Sequence, residues 1–285
     1  MKNQVFLRKI LIPQHKDKMS NYILPVTTEI TFRPDNHTFR NKQGVYYQSW
    51  SAVAKSLEVP FDAQGISLQM AQGMAAEKGI TVEQAQNEIL SEWDGKRKSS
   101  EVLGTRNHNL MEKFAKTGET SPLVLPTIQY VSKILKESAQ YYPEMIVHSH
   151  KYQKAGIADL VVQRQKNWQT SVFDVYDYKT NEQKGIQFDS VGRKEVLKHY
   201  NRFLLPPFDY IEACNFAIYS LQLCSYAYML WEMYRVRIGR LAIIFIDKDG
   251  KPHMFPVLYN PQIIEHIFMN YNELKELPVS SDRLT

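Results

Sequence analysis

Apolar and polar positions change rhythm repeatedly along this chain of 285 residues. Residues 21–48 alternate around Asp35-Asn36 and Lys42-Gln43-Gly44, the period of extended strands joined by tight turns, so one or two β-hairpins precede a short helix near 51–57. A helical stretch ending near Gly79 comes next. Thr81 and Gln84 then form a capping box, in which the hydroxyl caps a free amide and the glutamine reaches back, starting a helix expected to run to about Trp93. From about Glu101 a helix carries Gly104, His108 and Glu112, Pro122 and Pro126 interrupt the chain, and another helix spans about 127–138. Three strand-like runs, 144–150, 156–163 and 171–178, are joined by turns short enough that antiparallel neighbours are the natural geometry. A polar, partly basic connection over 180–207 leads into a long helix at about 210–234. Runs at 241–246 and 254–258 around Asp247 and Gly250 close as a hairpin before a last helix at about 261–274.

This order predicts a layered α/β core with a mixed central sheet flanked by helices, over residues 95–285, behind an N-terminal lobe of hairpin and helices over 1–94. A hydrophobic content of 44% suits a chain that buries a substantial core. The net charge of +5 is mildly basic, which allows a polyanionic partner without requiring one. With two cysteines, Cys214 and Cys224, placed in one helix, four-thiolate zinc and iron–sulfur sites within the chain are excluded. No charge occurs from Ala213 to Trp231, but Asn215, Gln222 and three tyrosines there make a buried helix the better reading than a membrane span. The N-terminal basic residues lack the apolar core of a signal peptide, so the expected compartment is the cytoplasm, with mitochondrial targeting the less favoured reading.

The chemistry concentrates in two strands. Asp159 sits in Gly156-Ile157-Ala158-Asp159, ahead of a buried apolar run, where a carboxylate is costly unless it is paired or bound to a cation. Asp177 and Lys179 are two apart, so on a strand they share one face while Tyr178 takes the other. Two carboxylates and an ammonium brought together can hold a divalent cation and orient a water against a phosphodiester. Taken singly, each has a plainer reading: a salt-bridged strand-end aspartate, a chance Asp-x-Lys, a surface or core histidine at 108, a buried amide and phenol at Gln222 and Tyr226.

Four short motifs in order change that balance: Gly104-Thr105-Arg106-Asn107-His108, Gly156-Ile157-Ala158-Asp159, Asp177-Tyr178-Lys179-Thr180 and Gln222-Leu223-Cys224-Ser225-Tyr226. The set resembles the PD-(D/E)XK nuclease superfamily, in its RecB-like exonuclease branch, over about residues 95–240. More loosely, the stretch from Tyr46 to Val53 is similar to phage-encoded exonucleases and the mitochondrial genome maintenance exonuclease type.

The resemblance implies a restriction-endonuclease-like core. It also implies His108, Asp159, Asp177 and the carbonyl of Tyr178 as ligands of Mg2+ or Mn2+, and Lys179 as the group that positions water and stabilises charge on the phosphate. Gln222 and Tyr226 would hold DNA or neighbouring site residues, and Thr180, the hydroxyl residue that ends the Asp-x-Lys strand, would join them in binding substrate. Glu144 is either a helper of the metal centre through water or a structural ion pair, and Glu112 either orients His108, binds a second metal, or faces solvent. Arg106, Arg193 and Lys194, with Lys96, Arg97, Lys98, Lys198, Arg202, Arg235, Arg237 and Arg240, are candidates for a phosphate track, and Tyr200, Phe203 and Phe208 for stacking on unpaired bases.

The expected function is therefore a metal-dependent DNA exonuclease of replication, recombination or repair, phage-encoded by its likeness. Its partners would be DNA and a recombinase, single-strand-binding protein or helicase, with no membrane. A RecB-like endonuclease and a non-catalytic nucleic-acid scaffold are the competing readings. No Walker motif, Cys-x-x-Cys pair or nucleophile elbow points elsewhere.

Overall fold

A computed structural model describes residues 24–26, 29–36, 38–180 and 203–276, with side chains up to Tyr271. The chain opens with β1 (Ile30–Arg33), β2 (Thr38–Asn41) and β3 (Tyr46–Ser49), followed by α1 (Trp50–Leu57), α2 (Ala63–Lys78) and α3 (Val82–Thr117). A 3-10 turn at Pro122–Val124 leads into α4 (Leu125–Lys136), then β4 (Gln140–Ser149), β5 (Lys154–Gln163) and β6 (Val172–Thr180). After α5 (Asn215–Tyr234) come β7 (Arg237–Ile246), β8 (Pro252–Val257) and α6 (Pro261–Glu276).

Local signals explain many of the boundaries. Thr81 Oγ1 accepts from Gln84 N while Gln84 Oε1 accepts from Thr81 N, the expected capping box, and Gly79 ends α2 at φ 66°, a conformation that suits a residue without Cβ. The helix that begins at Thr81 does not stop near Trp93. It runs 36 residues to Thr117, absorbing Gly95 and Gly104 and joining two helices that the pattern separates. Each internal glycine costs a helix about 1 kcal/mol. Along this stretch Lys96 pairs with Glu92, Arg97 with Asp94 and Glu101, and Lys98 with Asp94, exposed pairs at helical spacing that offset part of it. The helix thus crosses positions 94 and 95 without a break. Cys214 also differs from expectation, standing just before α5 as its cap residue, with both thiols buried and free.

The eight strands among the described residues join one mixed sheet. β4 pairs antiparallel along one edge of β5. The other edge of β5 is shared: β3 pairs parallel at Lys154 and Ala155, and β6 pairs antiparallel from Leu160 to Gln163, so the sheet forks beside residues 156–159. β7 then lies parallel to β6, and β8 antiparallel to β7. One face of the sheet packs on α1, α5 and α6 through Val53, Leu57, Leu223, Leu230, Ile264 and Phe268. The other packs on α3 and α4 through Met111, Phe114, Ile128 and Val131. This is the helix-flanked mixed sheet expected, consistent with a restriction-endonuclease-like core, and the hairpin strands β1–β3 extend it through the β3–β5 pairing.

Among the described residues no helix is long and apolar enough to cross a membrane. Phe208 is fully buried, its ring against His266, so it packs the core and is not placed to stack on a base. Tyr200, Arg193, Lys194, Lys198 and Arg202 lie outside the described residues.

Candidate metal centre

At the fork β4 and β5 both change the phase of their alternation. Tyr142 and Val161 on one side of it, and Met145, Val147 and Ala158 on the other, all face the α5 layer, which a strict period of two forbids. The phase change falls on Glu144 and the residue across from it, Asp159, where the otherwise continuous β4–β5 register has a gap. Glu144 takes φ 54°, a strained conformation for a residue with a side chain.

His108, carried on α3, reaches both strands. Its Nε2 lies 3.0 Å from Glu144 Oε1 and its Nδ1 3.6 Å from Asp159 Oδ2. The hydrogen bond to Glu144, opposed by burial and aided by the charge of Asp159, raises the imidazole to about 9. His108, Glu112 and Glu144 offer ligand atoms all within 4.8 Å of one another, though Glu112 also holds Lys116 at 2.5 Å.

Asp159 is 8% exposed and fixed from the far side of the fork: its Oδ2 accepts from the backbone N–H of Tyr178 at 2.7 Å. Burial raises its carboxyl above the ordinary range, with His108 and Lys179 pulling it down. Tyr178 turns its ring into the α3–α4 layer, and its buried hydroxyl has no hydrogen-bond partner among the described residues.

Asp177 and Lys179 come from β6 on the α5 side, in phase with Phe173 and Val175. Lys179 Nζ stands 2.5 Å from Asp177 Oδ2 and 4.9 Å over the ring of Tyr219. Apart from this contact neither oxygen of Asp177, 1% exposed, has a hydrogen-bond donor among the described residues. Burial pushes Asp177 up to about 7 against the pull of Lys179, and Asp159 adds to the rise. Burial also opposes the charge on Lys179, but Asp177 and Asp159 outweigh it and hold the ammonium above its usual value. Counted as ionised, the three carboxylates Glu144, Asp159 and Asp177 share two cations, Lys179 and the raised His108, and a divalent cation would supply the charge that is missing.

The site is therefore assembled across the fork, with His108 and Glu144 from the α3 side, Asp177 and Lys179 from the α5 side, and Asp159 between them. A cavity of about 320 Å³ opens here, lined by Gly104, Asn107, His108, Tyr178, Lys179 and Thr180 among others. These acidic and histidine groups could hold a metal ion.

The other expected positions are placed as follows. Tyr226 is buried against Gly156: a Cβ there would lie 2.3 Å from its Cε1, which accounts physically for the glycine of the second motif. Gln222 Nε2 donates to the Tyr226 hydroxyl at 2.8 Å, so the pair braces the fork from behind. Thr180 Oγ1 donates to Ile246 O and accepts from Asn107 Nδ2, tying α3 to the end of β6. Arg106 is exposed, its guanidinium on Asn107 Oδ1. Lys96, Arg97 and Lys98 are paired with acids of their own helix and form no open basic track. Sequence reasoning missed Asn107, 4% exposed, and Tyr219; the latter precedes Gln222 and Tyr226 by three and seven positions, a helical face readable in advance.

No family model and no curated protein matches this chain. Two solved structures are similar to it at low levels. The crystal structure of SSO0001 has a TM-score of 0.33 at 11% identity, over 81% of this chain and 78% of that one. That of a candidate exonuclease from Eubacterium rectale has a TM-score of 0.35 at 11% identity, over 80% of each. Both likenesses are too distant to carry an argument about function, which rests on the geometry at the fork.

Proposed function

We propose that this chain is a metal-dependent nuclease of the PD-(D/E)XK type that hydrolyses phosphodiester bonds of DNA, working from ends. One observation carries the reading: a carboxylate, Asp177, is buried against an ammonium, with no other donor on it among the described residues, within electrostatic reach of Asp159 and His108 and beside a cavity lined by His108 and Lys179. Asp177 and Asp159, with His108 or Glu144, would hold Mg2+ or Mn2+, which lowers the pKa of a bound water and offsets charge on the phosphate. Lys179 keeps its proton and offers a fixed positive charge where the phosphate becomes more anionic. The ring of Tyr219 limits where its ammonium can swing. Tyr178 N–H holds Asp159 in one orientation, and Glu144 accepts from His108 to keep that imidazole over the fork. DNA is the substrate proposed, with a recombinase, single-strand-binding protein or helicase as supplier of ends; the exonuclease preference follows the sequence resemblance.

The test uses purified full chain with end-labelled single- and double-stranded linear DNA and closed circular DNA, in Mg2+, Mn2+ or EDTA. Metal-dependent cleavage of the linear substrates, lost in Asp177→Asn, is expected. Cutting of circles at an equal rate moves the assignment to an endonuclease. Binding of DNA with no cleavage of any substrate in either metal overturns the enzyme and leaves a scaffold.

A further inference from the structure

A second group of ligating side chains lies beyond the fork, on β4 and the turn after it. His148 and His150 are two apart, and their Nε2 atoms stand 3.1 Å from each other. Glu29, just ahead of β1, brings Oε2 to 3.1 Å from His150 Nε2. The three ligand atoms all lie within 4.8 Å of one another. Tetrahedral coordination at zinc's bond length of about 2.0–2.1 Å to nitrogen puts neighbouring ligand atoms a little over 3 Å apart, so this spacing is near that of a filled shell.

Two further observations point to a ligand. The Tyr47 hydroxyl lies 2.6 Å from His150 Nδ1, the outer hydrogen bond that orients a metal-binding imidazole. The cavity of about 300 Å³ that the cluster borders is also lined by Glu232, whose buried Oε2 has no partner among the described residues. His148, 3% exposed, turns its Nε2 toward His150. Two imidazoles with one or two carboxylates, and no lysine within the set, suit a borderline dication better than magnesium.

The geometry points to a structural zinc-class site formed by Glu29, His148 and His150, with Glu232 at its open side, that clips the N-terminal hairpin to β4. Its ligands span 121 positions of sequence, so the ion would close a long loop between the segment entering β1 and the core. Nothing in this depends on the nuclease reading, since none of its ligands belongs to the fork.

The experiment counts metal. Full chain carrying Asp177→Asn and Glu144→Gln, which weaken the fork as a competing site, is stripped with EDTA and titrated with Zn2+, Co2+ and Mg2+. About one Zn2+ per chain is expected to remain after desalting, with a rise in Tm that Mg2+ does not produce and the visible absorption of tetrahedral Co2+. Glu29→Gln and His150→Ala change side chains that are 62% and 55% exposed, and each should abolish the retained zinc while circular dichroism stays unchanged. Tyr47→Phe should weaken zinc about 10- to 100-fold. Zinc retention that survives both substitutions, or no zinc retained by the doubly substituted chain with its fold intact, overturns the site.

Discussion

Two clusters of ligating groups hang on the same strand, β4, and differ in the properties that decide what each could hold. The fork gathers carboxylates and an ammonium around one histidine, under enough burial to lift Asp177 to about 7. The distal cluster gathers two histidines and a carboxylate, and there burial, with His150 beside it, pushes His148 down to about 4. Low dielectric works on both in the same way, favouring the neutral form, but neutral carboxyls cannot bind a cation and neutral imidazoles can. The fork must therefore lose protons to take a metal, whereas the distal cluster has an imidazole ready. Strain differs too: Glu144 sits at φ 54°, and His148 and His150 are not among the positive-φ residues.

The sharpest way to break the comparison is Lys179→Ala. On the proposed function, removing this positive charge should lower kcat for DNA cleavage about 10²- to 10³-fold, with zinc stoichiometry at the distal cluster unchanged. Equal loss of both would mean that the two regions are one folding unit and that Lys179 is structural; steady-state kinetics beside metal analysis decides it.

Next in size is Gly156→Ala. The new Cβ would overlap the ring of Tyr226, and forcing a buried aromatic aside costs about 1–3 kcal/mol. Urea denaturation measures this, and nuclease activity should fall further than stability predicts because Asp159 is three residues on. A neutral result would show that Tyr226 does not brace the fork.

The pH dependence in EDTA carries opposite signs for the two regions. Asp177 is raised in the folded state, so its contribution is present at low pH and lost as pH climbs from about 4 to 7. His108 is also raised, so its contribution is full below about 6.5 and lost as pH rises through 9. His148 is depressed, so its contribution is present above about 6.5 and lost as pH falls through 4. Each group has a limiting slope of about 1.4 kcal/mol per pH unit. Thermal melts of the wild type against Asp177→Asn should show the loss on the alkaline side shrink in the variant. Saturating Mn2+ should flatten that limb, because binding takes the deprotonated fork. A wild-type curve unaltered by Asp177→Asn counts against the burial assigned to that carboxyl.

The smallest effect expected separates Glu144→Gly from Glu144→Ala. Both remove the acceptor of His108 and so lose stability and cleavage together, but the glycine variant should be the more stable of the two by about 1 kcal/mol, because only it is relieved of the left-handed backbone. Equal stability of the two variants would show that the conformation carries no strain.

How far these features could be read in advance depends on the range of the interactions. The capping box at Thr81, the αL glycine at Gly79, the hairpins and the Asp177/Lys179 face are set by neighbours within four positions, and periodicity exposes them. The continuity of α3 was hidden because Gly95, after Trp93, looks like a stop, and only the salt-bridged flanks and the packing of Met111 and Phe114 on the sheet keep the helix going. Gly156 could be picked out as a motif position, but its reason, the ring of Tyr226 seventy residues away, could not. His-x-His on a strand was a legible signal for the distal cluster, though Glu29 was not.

From order and residue type alone followed the α/β layering, the four motifs and the chemistry that two acids and an amine can perform. Only the folded chain decided that the sheet forks beside Asp159, that β4 and β5 shift phase there, and that Glu144 and Asp177 approach from opposite layers. The reason is that a phase shift and a fork arise from pairing one strand with three others, and no local pattern encodes which strands those are.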